Sequence, residues 1–316
     1  MKNILTFLEE NAIKYKDKTA FVDLNDSVTY AELLARAQSI GSALSKTGTK
    51  NKPVAVYFDK CVNTISAMLG VVYSGNFYVV IDSEMPPARI NKIFGALSPV
   101  AVITDKKHHE NALQLEFSGE IFDLEEALSC EINSEKLAQI RSRQIDTDPL
   151  YALFTSGSTG VPKGAVVSHK SVMAYSEWVS NTFDITSETV FANQTPFYFS
   201  MSVTDVYSTL RNGATLAIVP KMYFSFPIKL VEFLDEYKAN TIYWVPSAIS
   251  MVSNFKVFDF QKPKYLNKVL FAGEVMPTKQ LNYWINNLPE NTLFANLYGP
   301  TETTDICTYY VVNRKF

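Results

Sequence analysis

Cysteine and histidine are scarce in this 316-residue chain, three of each, and their placement excludes whole classes of chemistry. Cys61, Cys130 and Cys307 are odd in number, far apart and free of any CxxC pairing, so neither a disulfide framework nor a zinc site is expected, and a reducing, cytoplasmic setting fits. An excess of positive charge is also missing. The 29 Lys and Arg against 32 Asp and Glu leave a net charge of −3, which offers no general attraction for nucleic acid; any phosphate must be held by a local site. No apolar run reaches the length of about 20 residues that spans a bilayer, so no membrane partner is expected. Near the start, Ile4, Leu5, Phe7 and Leu8 are interleaved with Glu9 and Glu10, an amphipathic helix rather than the unbroken apolar core of a secretory signal. Short repeats and low-complexity segments are absent too.

What is present is the composition of an ordinary globular protein, 47% hydrophobic and 19% charged, long enough to bury a large core in one or two domains. Short β-branched runs at 54–58, 78–81 and 100–103 alternate with helix-length amphipathic stretches that include Ser66-Ala67-Met68-Leu69 and residues 89–97. That alternation predicts parallel strands joined by helical crossovers. The second half repeats it, with strands expected at 189–192, 214–219, 241–245, 268–271 and 293–296. The expected fold class is α/β, two stacked doubly wound, mostly parallel sheets with helical crossovers. The more polar stretch 130–148 suggests a boundary, giving a first α/β subdomain over 1–140 and a second over 141–316; a surface helix running into a loop accounts for that stretch equally well.

The densest chemical signal is Phe154-Thr155-Ser156-Gly157-Ser158-Thr159-Gly160-Val161-Pro162-Lys163-Gly164. Glycines at 157, 160 and 164 let backbone N–H groups approach an anion, Thr155, Ser156, Ser158 and Thr159 add hydroxyl donors, and Lys163 adds charge. The order matches neither GxxxxGK[ST] nor GxGxxG. A glycine-serine run alone is more often a flexible loop, but here Leu150 to Phe154 reads as a buried strand entering it and Ala165-Val166-Val167 as a second strand leaving it, so the loop is pinned at both ends. A cradle for nucleoside triphosphate phosphates is the better reading.

These residues resemble the adenylate-forming superfamily, which includes adenylation domains of non-ribosomal peptide synthetases, D-alanyl carrier protein ligases, acyl- and aryl-CoA synthetases and luciferases. Further motifs resemble the family's in the same order: Thr29-Tyr30-Ala31-Glu32-Leu33, Gly75 to Asp82 with Pro87-Ala88-Arg89-Ile90, Phe271-Ala272-Gly273-Glu274, and Asn296-Leu297-Tyr298-Gly299-Pro300-Thr301-Glu302. The phrasing is closest to the amino-acid-adenylating and D-alanyl ligase branch. The resemblance implies ATP and Mg²⁺ as cofactors and joining of a small carboxylic or amino acid to AMP, with delivery to a carrier-protein phosphopantetheine thiol. It assigns Thr155, Ser156, Gly157, Ser158, Thr159, Gly160 and Lys163 to the phosphates, Thr301 to the α-phosphate and Glu302 to the metal. Gly273, Glu274, Val275, Asn296, Leu297 and Gly299 would border the nucleotide, with Tyr298 stacked on adenine. His169 is expected to be structural, since an ionised carboxylate needs no general base. Family members continue past the point matching Phe316 with a small β-barrel and a mobile C-terminal domain bearing a lysine, so an N-terminal fragment of the enzyme is expected.

The same resemblance places the acid pocket at Phe199, Ser200, Met201, Thr204, Trp244, Leu270, Ala272, Leu297, Asp305 and Ile306. Amino-acid-specific members carry an aspartate, which pairs with the substrate α-ammonium, where this chain has Ser200. Stranding a buried charge costs roughly 3–5 kcal/mol, so either the substrate lacks an α-amino group or another carboxylate receives it. Asp305 is the one acid among these positions; the alternative for it is a solvated loop aspartate. Two other functions remain open at this stage, an acyl- or aryl-CoA synthetase domain and a non-catalytic ATP-binding module.

Overall fold

Chain segments that are apolar at every position form strands covered on both faces. Pro53–Tyr57 and Phe77–Ile81 are buried throughout. The computed structural model describes residues 3–155 and 162–314. In chain order the strands are β1 (Thr19–Val22), β2 (Ser27–Thr29), β3 (Pro53–Tyr57), β4 (Phe77–Ile81), β5 (Ala101–Thr104), β6 (Glu120–Asp123), β7 (Pro149–Thr155), β8 (Lys163–Ser168), β9 (Val190–Asn193), β10 (Thr215–Ile218), β11 (Thr241–Trp244), β12 (Lys268–Phe271), β13 (Leu293–Tyr298) and β14 (Thr308–Val311). They form a six-stranded sheet of order β6-β5-β3-β4-β7-β8 and an eight-stranded sheet of order β14-β13-β12-β11-β9-β10-β1-β2. Pairing is mostly parallel, with antiparallel partners at the edges β7–β8 and β13–β14.

Two compact units result, Met1–Lys18 with Val28–Tyr175, and Thr19–Ser27 with Ser176–Phe316. This division differs from one at residue 140. β7 joins the first sheet through Tyr78 opposite Tyr151, and β8 pairs with β7, so the segment bearing the phosphate-loop strands belongs to the first unit. The polar stretch near 130–148 carries the helix Ser134–Arg143.

In the first unit, Ile90, Ile93 and Phe94 of the Pro87–Leu97 helix pack on Val79, Ile81 and Val102. The Thr29-Tyr30-Ala31-Glu32 motif has a local physical role there. Glu32 N–H donates to Thr29 Oγ1 at 3.2 Å and Thr29 N–H donates to Glu32 Oε2 at 2.8 Å, a capping box that starts the Tyr30–Leu44 helix.

In the second unit, connections leave β9 toward β10 but return on the other side to β11, then continue to β12 and β13. The order therefore reverses between β9 and β11. In open α/β sheets that reversal leaves a crevice at the carboxyl ends of the strands. Residues 194–200, 245–247, 272–275 and 299–306 all follow carboxyl ends of these strands.

Candidate nucleotide and acid site

The two strands flanking the phosphate-loop motif are where the sequence predicts them. β7 and β8 are antiparallel, with Thr155 opposite Lys163 and Phe154 opposite Gly164. Lys163 is exposed. Ser156, Gly157, Ser158, Thr159 and Gly160 lie outside the described residues. His169 opens the next helix, His169–Thr182. It is buried, and its Nδ1 has no hydrogen-bond partner among the described residues. Burial, with a smaller push from Arg141, lowers its pKa to about 4 against the opposing pull of Asp148 and Asp146, so the ring is neutral near pH 7.

In the second unit, the motif after β12 turns sharply at Gly273, whose φ is +90°, a conformation that disfavours any side chain. Glu274 then points back to accept from Ser247 N–H at 2.8 Å and from Ser247 Oγ at 3.2 Å, tying the end of β12 to the start of the Pro246–Asn254 helix. Gln194 Oε1 accepts from Val245 N–H at 3.3 Å and ties β9 to β11. Val275 is 92% and Tyr298 69% exposed, so both present their surface to solvent rather than filling a core. Asn296 is also exposed, on β13 opposite Phe271.

Beyond β13, Thr301–Thr303 forms a short 3₁₀ turn. Glu302 on it is exposed and makes no side-chain hydrogen bond or ion pair among the described residues. Thr304 follows with φ 80° and ψ −54°, a rare conformation for a β-branched residue. Asp305 comes next and is 1% exposed, which removes the solvated-loop alternative. Thr204 Oγ1 donates to its Oδ2 at 2.6 Å, and the Tyr243 hydroxyl donates to its Oδ1 at 3.4 Å.

The positions expected in the acid pocket divide between the two faces of the second sheet. Tyr243 is in register with Leu270, and Leu270 with Ala295, so these share a face with Leu297 and, beyond β12, Ala272. Met201 lies at the rim, its Sδ 3.5 Å from where a Gly273 Cβ would stand. Ser200 immediately precedes the Met201–Asn212 helix and is partly exposed, and Phe199 is exposed. Trp244 is in register with Phe271 and stands on the opposite face. Its Nε1 donates to the Ala192 carbonyl at 2.7 Å and its ring packs on Phe224 and Trp284 in the helix-side core. The β11 side chain that reaches Asp305, to which Thr204 is also bonded, is Tyr243, which sequence reasoning missed. The available signal was its hydroxyl, which can donate as well as accept, on a strand where neighbours alternate faces.

The chain matches the model of the family described as AMP-binding enzyme over residues 8–315, and it belongs to that family. It is 29% identical over 328 residues to the L-proline–[L-prolyl-carrier protein] ligase of Streptomyces coelicolor, covering 98% of this chain and 61% of that protein. It is 30% identical over 316 residues to the D-alanine–D-alanyl carrier protein ligase of Staphylococcus aureus, covering 100% of this chain and 62% of that protein. The chain thus spans about three fifths of the length of these curated relatives. A solved structure of the nonribosomal peptide synthetase FmoA3 superposes with a TM-score of 0.88 at 21% identity over 98% of this chain and 32% of that one, and this likeness concerns the fold.

Proposed function

We propose that the chain is the nucleotide- and acid-binding part of a cytoplasmic ligase. The enzyme activates a small carboxylic or amino acid as its acyl-adenylate, releases pyrophosphate and loads the acyl group onto a carrier-protein phosphopantetheine thiol. The observation that carries this reading is the set of turns at the carboxyl ends of β12 and β13. They present Gly273, the exposed Tyr298 and the uncommitted Glu302 at the same ends of two neighbouring parallel strands. Membership of the AMP-binding family and the names of the two carrier-protein ligases support it.

The reaction brings one anion to another, so positioning and charge neutralisation are the main needs. A carboxylate oxygen forms a bond to the α-phosphorus as the bond from that phosphorus to the β-bridging oxygen breaks, and pyrophosphate leaves with the electron pair. Lys163, Thr155 and the run 156–160 hold the β- and γ-phosphates in this reading, Thr301 the α-phosphate, and Tyr298 stacks on adenine with Gly273, Glu274, Val275, Asn296, Leu297 and Gly299 around it. Among the described residues no group of three or more His, Cys, Asp or Glu is placed to hold a metal. A single free carboxylate at Glu302 suits magnesium, which takes one or two protein oxygens and completes its shell with phosphates and water. Bound there, the ion supplies charge neutralisation on the phosphates. Among the described residues no helix is long and apolar enough to cross a membrane.

Carboxylate-dependent exchange of labelled pyrophosphate into ATP, run with this chain on a panel of amino, hydroxy, aryl and short acyl acids, tests the reading. Exchange with one class is the expected result. Silence across the panel together with no binding of AMP or ATP would overturn it.

A further inference from the structure

Among the described residues each sheet has two edges, and three of the four are blunted against pairing with another chain. β2 is three residues long, β6 begins with Glu120 and ends with Asp123, and β8 begins with Lys163 and Gly164. Shortness, charge and glycine are the usual means by which an edge is kept from recruiting a strand. β14, the outermost strand of the eight-stranded sheet, has none of them. It is exposed at all four positions, with Tyr309 at 43%, Tyr310 at 64% and Val311 at 47%. The run 306–312 around it holds no charged residue, proline or glycine, a composition that favours association of strand with strand.

The strand is also held ready to pair. Tyr309 packs its ring on Trp178 and Phe183, with centroids 5.7 and 5.4 Å away, and β14 runs antiparallel to β13 with Leu297 opposite Tyr309 and Asn296 opposite Tyr310. Val312 N–H donates to the Phe294 carbonyl at 2.8 Å. Backbone groups alternate sides along an antiparallel strand, so Thr308 and Tyr310 also bond toward β13, and the N–H and C=O groups of Tyr309 and Val311 point to the outer edge. We infer that this edge pairs with β14 of a second copy of the chain, antiparallel about a two-fold axis at Tyr310. In that register Tyr309 of each copy faces Val311 of the other and exchanges both backbone hydrogen bonds with it, and Tyr310 faces its own counterpart. A second copy is the fitting occupant because the surface is self-complementary: the run carries no charge, so the two-fold brings no like charges together, and the same residues supply donors and acceptors on both sides. An interface this short is at the small end of the range, so association is weak and depends on concentration. The inference is independent of the nucleotide reading.

Sedimentation equilibrium of the chain, from micromolar to millimolar concentration, should show the mean mass rising from one chain toward two. Hydrogen exchange followed residue by residue locates the contact. The Thr308 and Tyr310 amides should exchange slowly at every concentration, and the Tyr309 and Val311 amides should slow only as the dimer forms. Tyr310→Lys, at an exposed position on the face away from Trp178, sets like charges opposite each other and should weaken association at least about tenfold. Tyr310→Cys, made together with Cys307→Ser, is the second variant. Facing residues of a non-hydrogen-bonded pair have Cα atoms about 4.5 Å apart, inside the range of about 4.4–6.8 Å that a disulfide spans, so mild oxidation should link two chains at position 310. A single chain at every concentration would overturn the pairing and leave the edge to a strand from a different protein. A dimer that forms equally well with Tyr310→Lys, and in which the Tyr309 and Val311 amides still exchange fast, would place the contact on another face and overturn it too.

Discussion

Gly299 lies directly against the backbone of Asp305: a Cβ at Gly299 would stand 2.3 Å from the Asp305 carbonyl oxygen, and 2.4 Å from Ile306 Cα. These are backbone atoms, so a side chain at 299 cannot be accommodated by a rotamer change. Gly299→Ala is expected to cost about 2 kcal/mol, in the range of overpacking in a tight site. It should also shift the turn bearing Glu302. Denaturant unfolding combined with AMP titration checks both effects; a variant with unchanged stability and unchanged affinity would refute the close approach.

Thr304 sits at φ 80° and ψ −54° between Glu302 and the anchored Asp305. Holding a non-glycine residue there costs about 1–3 kcal/mol, whereas a glycine brings an entropic penalty of roughly 0.5–1 kcal/mol. Thr304→Gly should therefore stabilise the protein by about 1 kcal/mol, read as a higher urea midpoint. Nucleotide affinity should fall, because the turn at Thr301–Thr303 loses its restraint. A gain in both properties would show that the strain has no functional use.

Glu302 is exposed, so Glu302→Gln should leave stability within about 0.5 kcal/mol. Loss of a charge-assisted contact worth about 1.5–3 kcal/mol should weaken ATP binding in the presence of magnesium by roughly tenfold or more and leave metal-free AMP binding intact. Titrations with and without magnesium separate the two. Equal loss in both would move Glu302 from the metal to the nucleotide.

His169 gives the protein a pH dependence whose sign is fixed by burial. Its folded pKa is lowered from 6.5 to about 4, so the unfolded chain binds the proton first as pH falls. The stability contributed by the neutral ring is complete above pH 6.5 and is lost progressively down to about pH 4. At pH 5 the loss is about 2 kcal/mol, because within that window each step of one in pH costs about 1.36 kcal/mol. Urea unfolding at pH 7.5 and pH 5 should show this difference, and His169→Gln should reduce it. An identical pH dependence in the variant would assign the effect elsewhere.

The strands were legible because parallel strands buried on both faces are apolar at every position, as β3 and β4 are, and the helix starting at Tyr30 was legible from its Thr29 and Glu32. The phase of β11 was not. Tyr243 and Trp244 are adjacent large aromatics, and either suits a pocket wall or a core. Only the layer of helices covering one face, with Trp284 and Phe224 against the indole, decides that Trp244 turns away and Tyr243 toward Asp305. The place of β7 in the first sheet was not legible for a related reason: the pairing of Tyr78 with Tyr151 joins segments far apart in sequence, and no local composition records it.

By itself, then, the sequence determined the alternation of strands and helices, the glycine-serine run between two strands and the family to which the chain belongs, because these are local patterns of residue type and spacing. The tertiary structure decided the burial of Asp305, its hydroxyl partners from a helix and a strand and the strained Thr304 beside it. Each depends on which distant segments lie against one another and on the space left between them, and packing sets those distances only once the chain has folded.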